Sequence, residues 1–156
     1  MNATSTTWHL THAPDGSAPG CDSVRQWLRE HNWKVNPAFM EKLYQPEHEV
    51  RSLVVLAEND SGVVGGLFAE TQLSWLRISI MAVSPEWRSR GVGAALLADA
   101  ERQAVERGCR YAYVDTMEYQ APAFYQARGF KIVGEIPDWD SQGHRKFHLS
   151  KQLGGE

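Results

Sequence analysis

Val83-Ser-Pro-Glu-Trp-Arg88-Ser-Arg-Gly91-Val-Gly93-Ala-Ala-Leu-Leu97 is the stretch whose reading decides the fold. Before it, Trp75 to Val83 is apolar and rich in β-branched residues, the pattern of a buried strand. After it, Val92, Leu96, Ala100 and Ala104 recur at helical spacing, with Leu97 and Val105 beside them, and predict a helix over Gly91 to Arg107. The turn between them holds two glycines and two arginines. Glycine lets backbone N–H groups approach a ligand closely. The opening turn of a helix adds N–H groups with no partner inside the helix and the positive end of its dipole. Together these make an anion site suited to phosphate, to which Arg88 and Arg90 bring charge-assisted hydrogen bonds. No Gly-Lys-Ser/Thr follows the glycines, which excludes a nucleoside-triphosphate P-loop.

The flanking chain supplies a sheet around this turn. Leu53 to Ala57 and Val63 to Glu70 read as strands joined by a hairpin turn at Asn59-Asp-Ser-Gly62. Gly65-Gly66 marks a bulge or a close backbone approach. Gly108 is placed to end the long helix, and Arg110 to Asp115 is a strand reached by that crossover. Pro122 to Arg128 predicts a short helix ended by Gly129, with strands from Phe130 and from His144 to Leu149 after it. Ile136 to Gly143 is a polar loop, either an acceptor-pocket wall or plain surface, and the tail after Lys151 is expected to fray. Toward the N-terminus, Trp8 to His12 alternates as a first strand. Asp22 or Ser23 caps a helix to about Asn32, with Val24, Trp27, Leu28 and His31 on one side. Asn36 caps a second helix carrying Phe39, Met40, Leu43 and Tyr44. Trp27, Trp33 and Phe39 are expected in the core.

Two blocks carry a family resemblance. Arg88-x-x-Gly91-x-Gly93-Ala94, preceded by a strand and Val83-x-Pro85, resembles the acyl-CoA pyrophosphate loop of the GNAT superfamily of N-acetyltransferases. Ala121-Pro-Ala-Phe-Tyr125-Gln-Ala-Arg-Gly129-Phe130 resembles that family's later helix-and-strand motif. The resemblance covers roughly residues 53 to 150 and implies one domain over 1–156. The implied fold is α/β, with a central mixed β-sheet, splayed fourth and fifth strands (Trp75 to Val83 and Arg110 to Asp115), and helices on both faces. It implies an acetyl-CoA-dependent N-acetyltransferase acting on a primary amine of a small molecule or peptide by direct attack. By the same resemblance, Met81, Ala82 and Val83 bind pantetheine through their backbone. Arg88, Ser89, Arg90, Gly91, Val92, Gly93 and Ala94 then hold the pyrophosphate, and Tyr125 protonates the departing thiolate. A homodimer through the C-terminal strands is also implied.

The general base stays open. The family often places a carboxylate on the central strand, where Arg77 to Met81 has none. Glu70 and Asp115 are the candidates, and Glu118 is a third. Glu118 also stands where the family often has an asparagine that contacts the cofactor. The alternative reading is therefore a catalytically weak acyl-CoA-binding module that regulates a partner.

Composition bounds the remaining classes. A net charge of −3, with no basic stripe, argues against nucleic acid as a ligand. Cys21 and Cys109 lack metal spacing, and none of the six histidines has a partner at such spacing, so no metal is expected and the thiols read as free in a reducing cytosol. Met1 to Thr7 lacks a signal-peptide core and no apolar run reaches membrane-spanning length, so no membrane contact and a cytoplasmic location are expected.

Overall fold

A computed structural model describes residues 8–154. The reading of Met1 to Thr7 lies outside the described residues. The chain divides into two compact units, Met1–Tyr44 and Gln45–Glu156.

In the first unit, Trp8 to His12 forms no strand, which corrects the expectation drawn from its alternation. A five-residue alternation without a pairing partner does not hold an extended conformation. Helix α1 is Cys21–Val35 and helix α2 is Pro37–Leu43. The N-cap of α1 is Gly20, in the left-handed region at φ 89°, and not Asp22 or Ser23. Asn36 caps α2 as expected, its side chain accepting from the Phe39 N–H at 3.2 Å. Trp27, Trp33 and Phe39 are 65%, 39% and 42% exposed, so the expectation of core positions is wrong for all three. Helical spacing shows that apolar residues share a side of a helix, not that the side is covered. Trp33 instead stacks on Tyr44, with ring centroids 6.2 Å apart.

The second unit is built on six strands: β1 Arg51–Asn59, β2 Gly62–Gln72, β3 Trp75–Val83, β4 Tyr111–Met117, β5 Lys131–Ile136 and β6 Lys146–Gln152. The sheet order is β1-β2-β3-β4-β6-β5. Only β3 and β4 pair in parallel, so the sheet is mixed. Helices α3, Val92–Glu106, and α4, Pro122–Gln126, flank it. The core lies under α3, where Leu96, Leu97, Ala100 and Ala104 meet Leu53, Leu67, Leu76, Val114 and Leu149. Val105, expected beside that stripe, is exposed.

Gly65 explains how closely α3 lies on β2. A Cβ there would sit 3.1 Å from Val92 Cγ1, 3.2 Å from the Ala82 carbonyl oxygen and 3.3 Å from Leu96 Cδ1. Only glycine leaves the opening turn of α3 at that depth. At the other end of α3, Gly108 takes φ 88° and the Cys109 N–H returns to the Ala104 carbonyl at 2.9 Å, closing a Schellman cap. The C-terminal tail does not fray where expected. Leu153 is buried and its N–H donates to the Arg110 carbonyl at 2.7 Å. Among the described residues no helix is long and apolar enough to cross a membrane.

Candidate active site

The site begins where two parallel strands part. Pairing of β3 with β4 runs from Trp75↔Tyr111 to Ile78↔Val114 and then stops, although β3 continues to Val83. The cause lies on the other edge of β3. Phe68 pairs with Ile80 and Ala69 with Ile78, leaving Ser79 as an extra residue in a β-bulge. A bulge bends the strand and increases its twist, which swings the end of β3 away from β4. The Ser79 hydroxyl steadies it by donating to the Phe68 carbonyl at 3.1 Å. The resulting gap has a volume of about 300 Å³, bounded by Ile78 to Met81 on one side, Val114 to Thr116 on the other, and Tyr125 at its base. Toward the gap, the backbone of Met81, Ala82 and Val83 has no strand beside it.

A cleft of about 630 Å³ continues from the gap. Met81, Ala82, Val83, Arg88, Ser89, Gly91, Val92, Gly93 and Ala94 all line it. Gly91 sits at φ 86° as the N-cap of α3, and Ser89 at φ 57° precedes it. With those two residues left-handed, the chain turns so that the N–H groups from Ser89 to Ala94 meet no acceptor among the described residues. The Ala95 N–H is the first to be used, by the Gly91 carbonyl at 3.0 Å. Such a row of free amides at a helix N-terminus fits a pyrophosphate. Gly93 has ordinary backbone angles, and its role is closeness. A Cβ there would stand 3.4 Å from the Phe124 ring, on the opposite wall of the cleft. Arg88 anchors to the end of β3, Nε donating to the Val83 carbonyl at 3.2 Å. Arg90 points elsewhere: it stacks over Trp87 at 5.1 Å and borders a separate hollow with Val55 and Leu56.

Tyr125 is held by the end of its own helix. Gly129 adopts φ 89°, and the Phe130 N–H returns to the Tyr125 carbonyl at 3.1 Å. This cap brings the Phe130 ring against Tyr125, centroids 5.4 Å apart, while Phe124 meets it from the other side at 5.2 Å. The residue is only 5% exposed, and burial pushes its phenol up to about 12. No hydrogen bond from a described residue contributes to that shift, and the residue borders the gap.

On the far side of the gap lies a third hollow, of about 540 Å³, lined by Glu70, Arg77, Ser79, Tyr113 and Asp115 with Phe68 and Val54. Asp115 borders both this hollow and the gap. Its carboxylate lies 2.8 Å from Lys146 Nζ. Glu70 stands on the hollow's outer wall, 3.9 Å from the Arg77 guanidinium. Tyr113 extends its hydroxyl to 2.6 Å from His148 Nδ1 and 3.4 Å from Asp115 Oδ2. Burial, reinforced by the Asp115 charge, raises the Tyr113 phenol above its ordinary value. Glu118 lines none of these spaces. It accepts the Arg145 N–H at 2.9 Å and the Arg145 Nε at 3.0 Å, and the backbone bond foremost holds its carboxyl below the usual range. The loop from Ile136 to Gly143 lines none of them either. Asp138 and Asp140 fold it on itself by accepting the N–H groups of Gly143, Gln142 and His144.

The family model described as "Acetyltransferase (GNAT) domain" matches residues 50–132. The chain belongs to the GNAT acetyltransferase family. The blasticidin-S acetyltransferase of Streptomyces morookaense is 35% identical over 117 residues, which span 72% of this chain and 86% of that protein. The crystal structure of an acetyltransferase from Bacillus cereus ATCC 14579 superposes with a TM-score of 0.72 at 24% identity, covering 92% of this chain and 98% of that one. An aminoglycoside 6′-N-acetyltransferase complexed with coenzyme A shares the fold at a TM-score of 0.61 and 18% identity, over 91% of this chain and 96% of that one.

Within this GNAT acetyltransferase, three residues of the cleft and the gap escaped the sequence reading. Gln120 accepts the Met117 N–H at 2.9 Å, and the Thr116 hydroxyl accepts the Ala121 N–H at 3.3 Å. These bonds fix the turn from β4 into α4, and so the placement of Tyr125. Arg128 lies 3.7 Å from the Phe124 ring centroid and donates to the Phe124 carbonyl at 2.9 Å, which places it in the cleft wall where Arg90 was expected. Its position four residues after Phe124 was the available signal.

Proposed function

We propose that this enzyme transfers an acetyl group from acetyl-CoA to a primary amine of a small molecule by direct attack across the gap between β3 and β4. The observation that carries the reading is continuity. The phosphate-binding cleft, the gap and the Asp115 hollow share walls in that order, through Met81, Gln120 and Ala121 and then through Ile78, Ser79 and Asp115. Bound acetyl-CoA supplies the activated acyl group. The free amides from Ser89 to Ala94 and the Arg88 guanidinium bind its pyrophosphate. The unpaired edge of β3 at Met81 to Val83 orients the pantetheine arm and offers N–H groups where negative charge develops on the acyl oxygen.

Tyr125 donates a proton to the leaving sulfur. Its pKa of about 12 keeps the phenol protonated at neutral pH, and burial alone, with no hydrogen bond from a described residue, sets it there. Asp115 draws an acceptor ammonium to the mouth of the gap, with Glu70 as a second carboxylate farther out. No cysteine lines the cleft, the gap or the hollow, which favours direct transfer over a covalent acyl-enzyme. Similarity to a blasticidin-S acetyltransferase supports a small-molecule amine ahead of a peptide N-terminus as acceptor. We further propose a homodimer through the β5 edge, where Ile132 and Val133 are exposed.

The test is release of free CoA thiol from acetyl-CoA over a panel of amines, with blasticidin S, aminoglycosides, polyamines and N-terminal peptides among them. Amine-dependent release with a small molecule is the expected result. Tight acetyl-CoA binding without release for any amine would favour the regulatory module instead.

A further inference from the structure

His148 is the one polar side chain among the described residues with a buried atom left unpartnered, Nε2, while its Nδ1 makes a 2.6 Å contact with the Tyr113 hydroxyl. A half-buried imidazole with one ring nitrogen on a short bond and the other shut off without a partner is costly, and such a group calls for an explanation. Its place in the sheet supplies one. His148 on β6 pairs with Asp115 on β4 and with Gly134 on β5. Gly134 lies directly against the imidazole: a Cβ there would meet His148 Cβ at 3.8 Å and Cδ2 at 4.0 Å, in ordinary van der Waals contact. Tyr113 lies between this imidazole and the acceptor hollow, whose wall includes Tyr113 but not His148.

Resting on the acetyltransferase reading above, we propose that Tyr113 and His148 form the route by which the acceptor amine loses its proton. The ammonium is drawn to Asp115, and one N–H donates to the Tyr113 oxygen, directly or through one water. As that proton moves onto the oxygen, the Tyr113 hydroxyl proton moves along the 2.6 Å contact to His148 Nδ1. One N–H bond of the ammonium breaks and one N–H bond on the imidazole forms. Tyr113 ends as it began, a neutral phenol, and the amine keeps its lone pair for attack. After transfer the imidazolium returns its proton by the same contact, His148 Nδ1–H donating to the Tyr113 oxygen as the Tyr113 hydroxyl proton passes to water in the hollow. The charged groups around the pair suit this direction. Asp115 beside Tyr113 stabilises the positive charge formed on the imidazole, while Lys146 on β6 is held on Asp115 at 2.8 Å and Arg77 on β3 is turned to Glu70 on β2. On β5 the residue opposite His148 is Gly134, which carries no charge. Because its phenol is raised, Tyr113 does not settle as a phenolate and serves as a relay.

The experiment compares wild type, Tyr113→Phe, His148→Gln and the double variant by thiol release with the best amine across pH, alongside acetyl-CoA affinity and melting temperature. Each single variant should lower kcat about 100-fold, the usual scale for a positioned proton acceptor. Acetyl-CoA affinity should stay within about threefold, because the pair does not touch the phosphate cleft. The double variant should be no slower than the worse single variant, since both interrupt one route. His148→Gln should also move the acid limb of the kcat/KM profile upward toward the titration of the acceptor amine, since only the free amine then reacts, whereas loss of a purely structural histidine would leave the limb intact. Near-wild-type turnover with the acid limb intact in His148→Gln overturns the proposal, as do multiplicative losses in the double variant. If His148→Gln fails to fold, Tyr113→Phe decides alone: turnover within about threefold of wild type overturns the proposal. A wild type that releases no thiol with any amine brings down the acetyltransferase reading itself. An active wild type with unaffected variants brings down only the relay.

Discussion

Removing the Tyr125 hydroxyl separates chemistry from architecture. Tyr125→Phe keeps the ring that Phe124 and Phe130 pack against at 5.2 and 5.4 Å, and removes an oxygen whose titration is shifted by burial and by no hydrogen bond from a described residue. Stability at neutral pH should therefore change by less than about 1 kcal/mol, because no net hydrogen bond is lost. Acetyl-CoA affinity should hold as well, since the amides proposed to bind its phosphates lie at Ser89 to Ala94, away from this hydroxyl. Turnover is different. If the hydroxyl protonates the leaving thiolate, its interaction strengthens only as negative charge builds on sulfur. A loss of about 100-fold in kcat, equivalent to about 2.7 kcal/mol of barrier, is the expected scale. The assay is single-turnover thiol release with saturating amine, so that product release does not mask the step, with acetyl-CoA titration in parallel. Turnover in Tyr125→Phe within a few-fold of wild type would refute the acid role. Weakened acetyl-CoA binding with unchanged chemistry would instead make the hydroxyl a binding group.

The same residue gives a pH prediction. Between the ordinary tyrosine value of 10 and its folded value of about 12, the unfolded chain has lost the Tyr125 proton and the folded chain has kept it. Stability is thus fully present below pH 10 and falls as pH rises through 12, by up to about 2–3 kcal/mol. Urea unfolding of wild type against Tyr125→Phe from pH 9 to 12 should show that extra loss in wild type alone. Acetyl-CoA should raise the melting temperature by mass action, and Gly93→Leu should abolish the shift by filling the space before the Phe124 ring; an undiminished shift would remove the phosphate cleft assignment. Gly91→Ala meets no atom within 4 Å, so its cost is the left-handed backbone, and it should lower stability by about 1 kcal/mol and weaken binding less than Gly93→Leu. Light scattering should find a dimer at micromolar concentration; a monomer at every concentration would reject pairing through β5.

The shape of the turn from Arg88 to Ala94 was legible because its requirements are local. A left-handed glycine at a helix start and free amides need only the residues that provide them, and Gly91 and Gly93 were read in place. Tyr125 was legible in position, since Gly129 sets the helix end that packs it. What escaped depends on partners distant in sequence. The bulge at Ser79, which opens the gap, exists only through the pairing of β3 with β2. Arg90 and Arg128 look alike as arginines beside a motif, and only the stacks on Trp87 and Phe124 decide which one faces the cleft. Glu118 was weighed as a cofactor contact or base, yet its two bonds go to Arg145, 27 residues away. The tail after Lys151 reads as a frayed terminus, and the Arg110 carbonyl that holds Leu153 is invisible in its local composition. Trp8 to His12 failed in the opposite way, with a strand-like alternation and no partner to pair with.

The account rests on one geometric claim, that a single acetyl-CoA site runs from the Ser89 to Ala94 amides into the gap between β3 and β4. A crystal structure of the protein soaked with CoA tests it most directly. The account predicts pyrophosphate density on those amides beside Arg88, pantetheine along Met81 to Val83, and the sulfur at the Tyr125 hydroxyl. Density for CoA in the hollow bounded by Val55, Leu56 and Arg90, with the gap left empty, would contradict it.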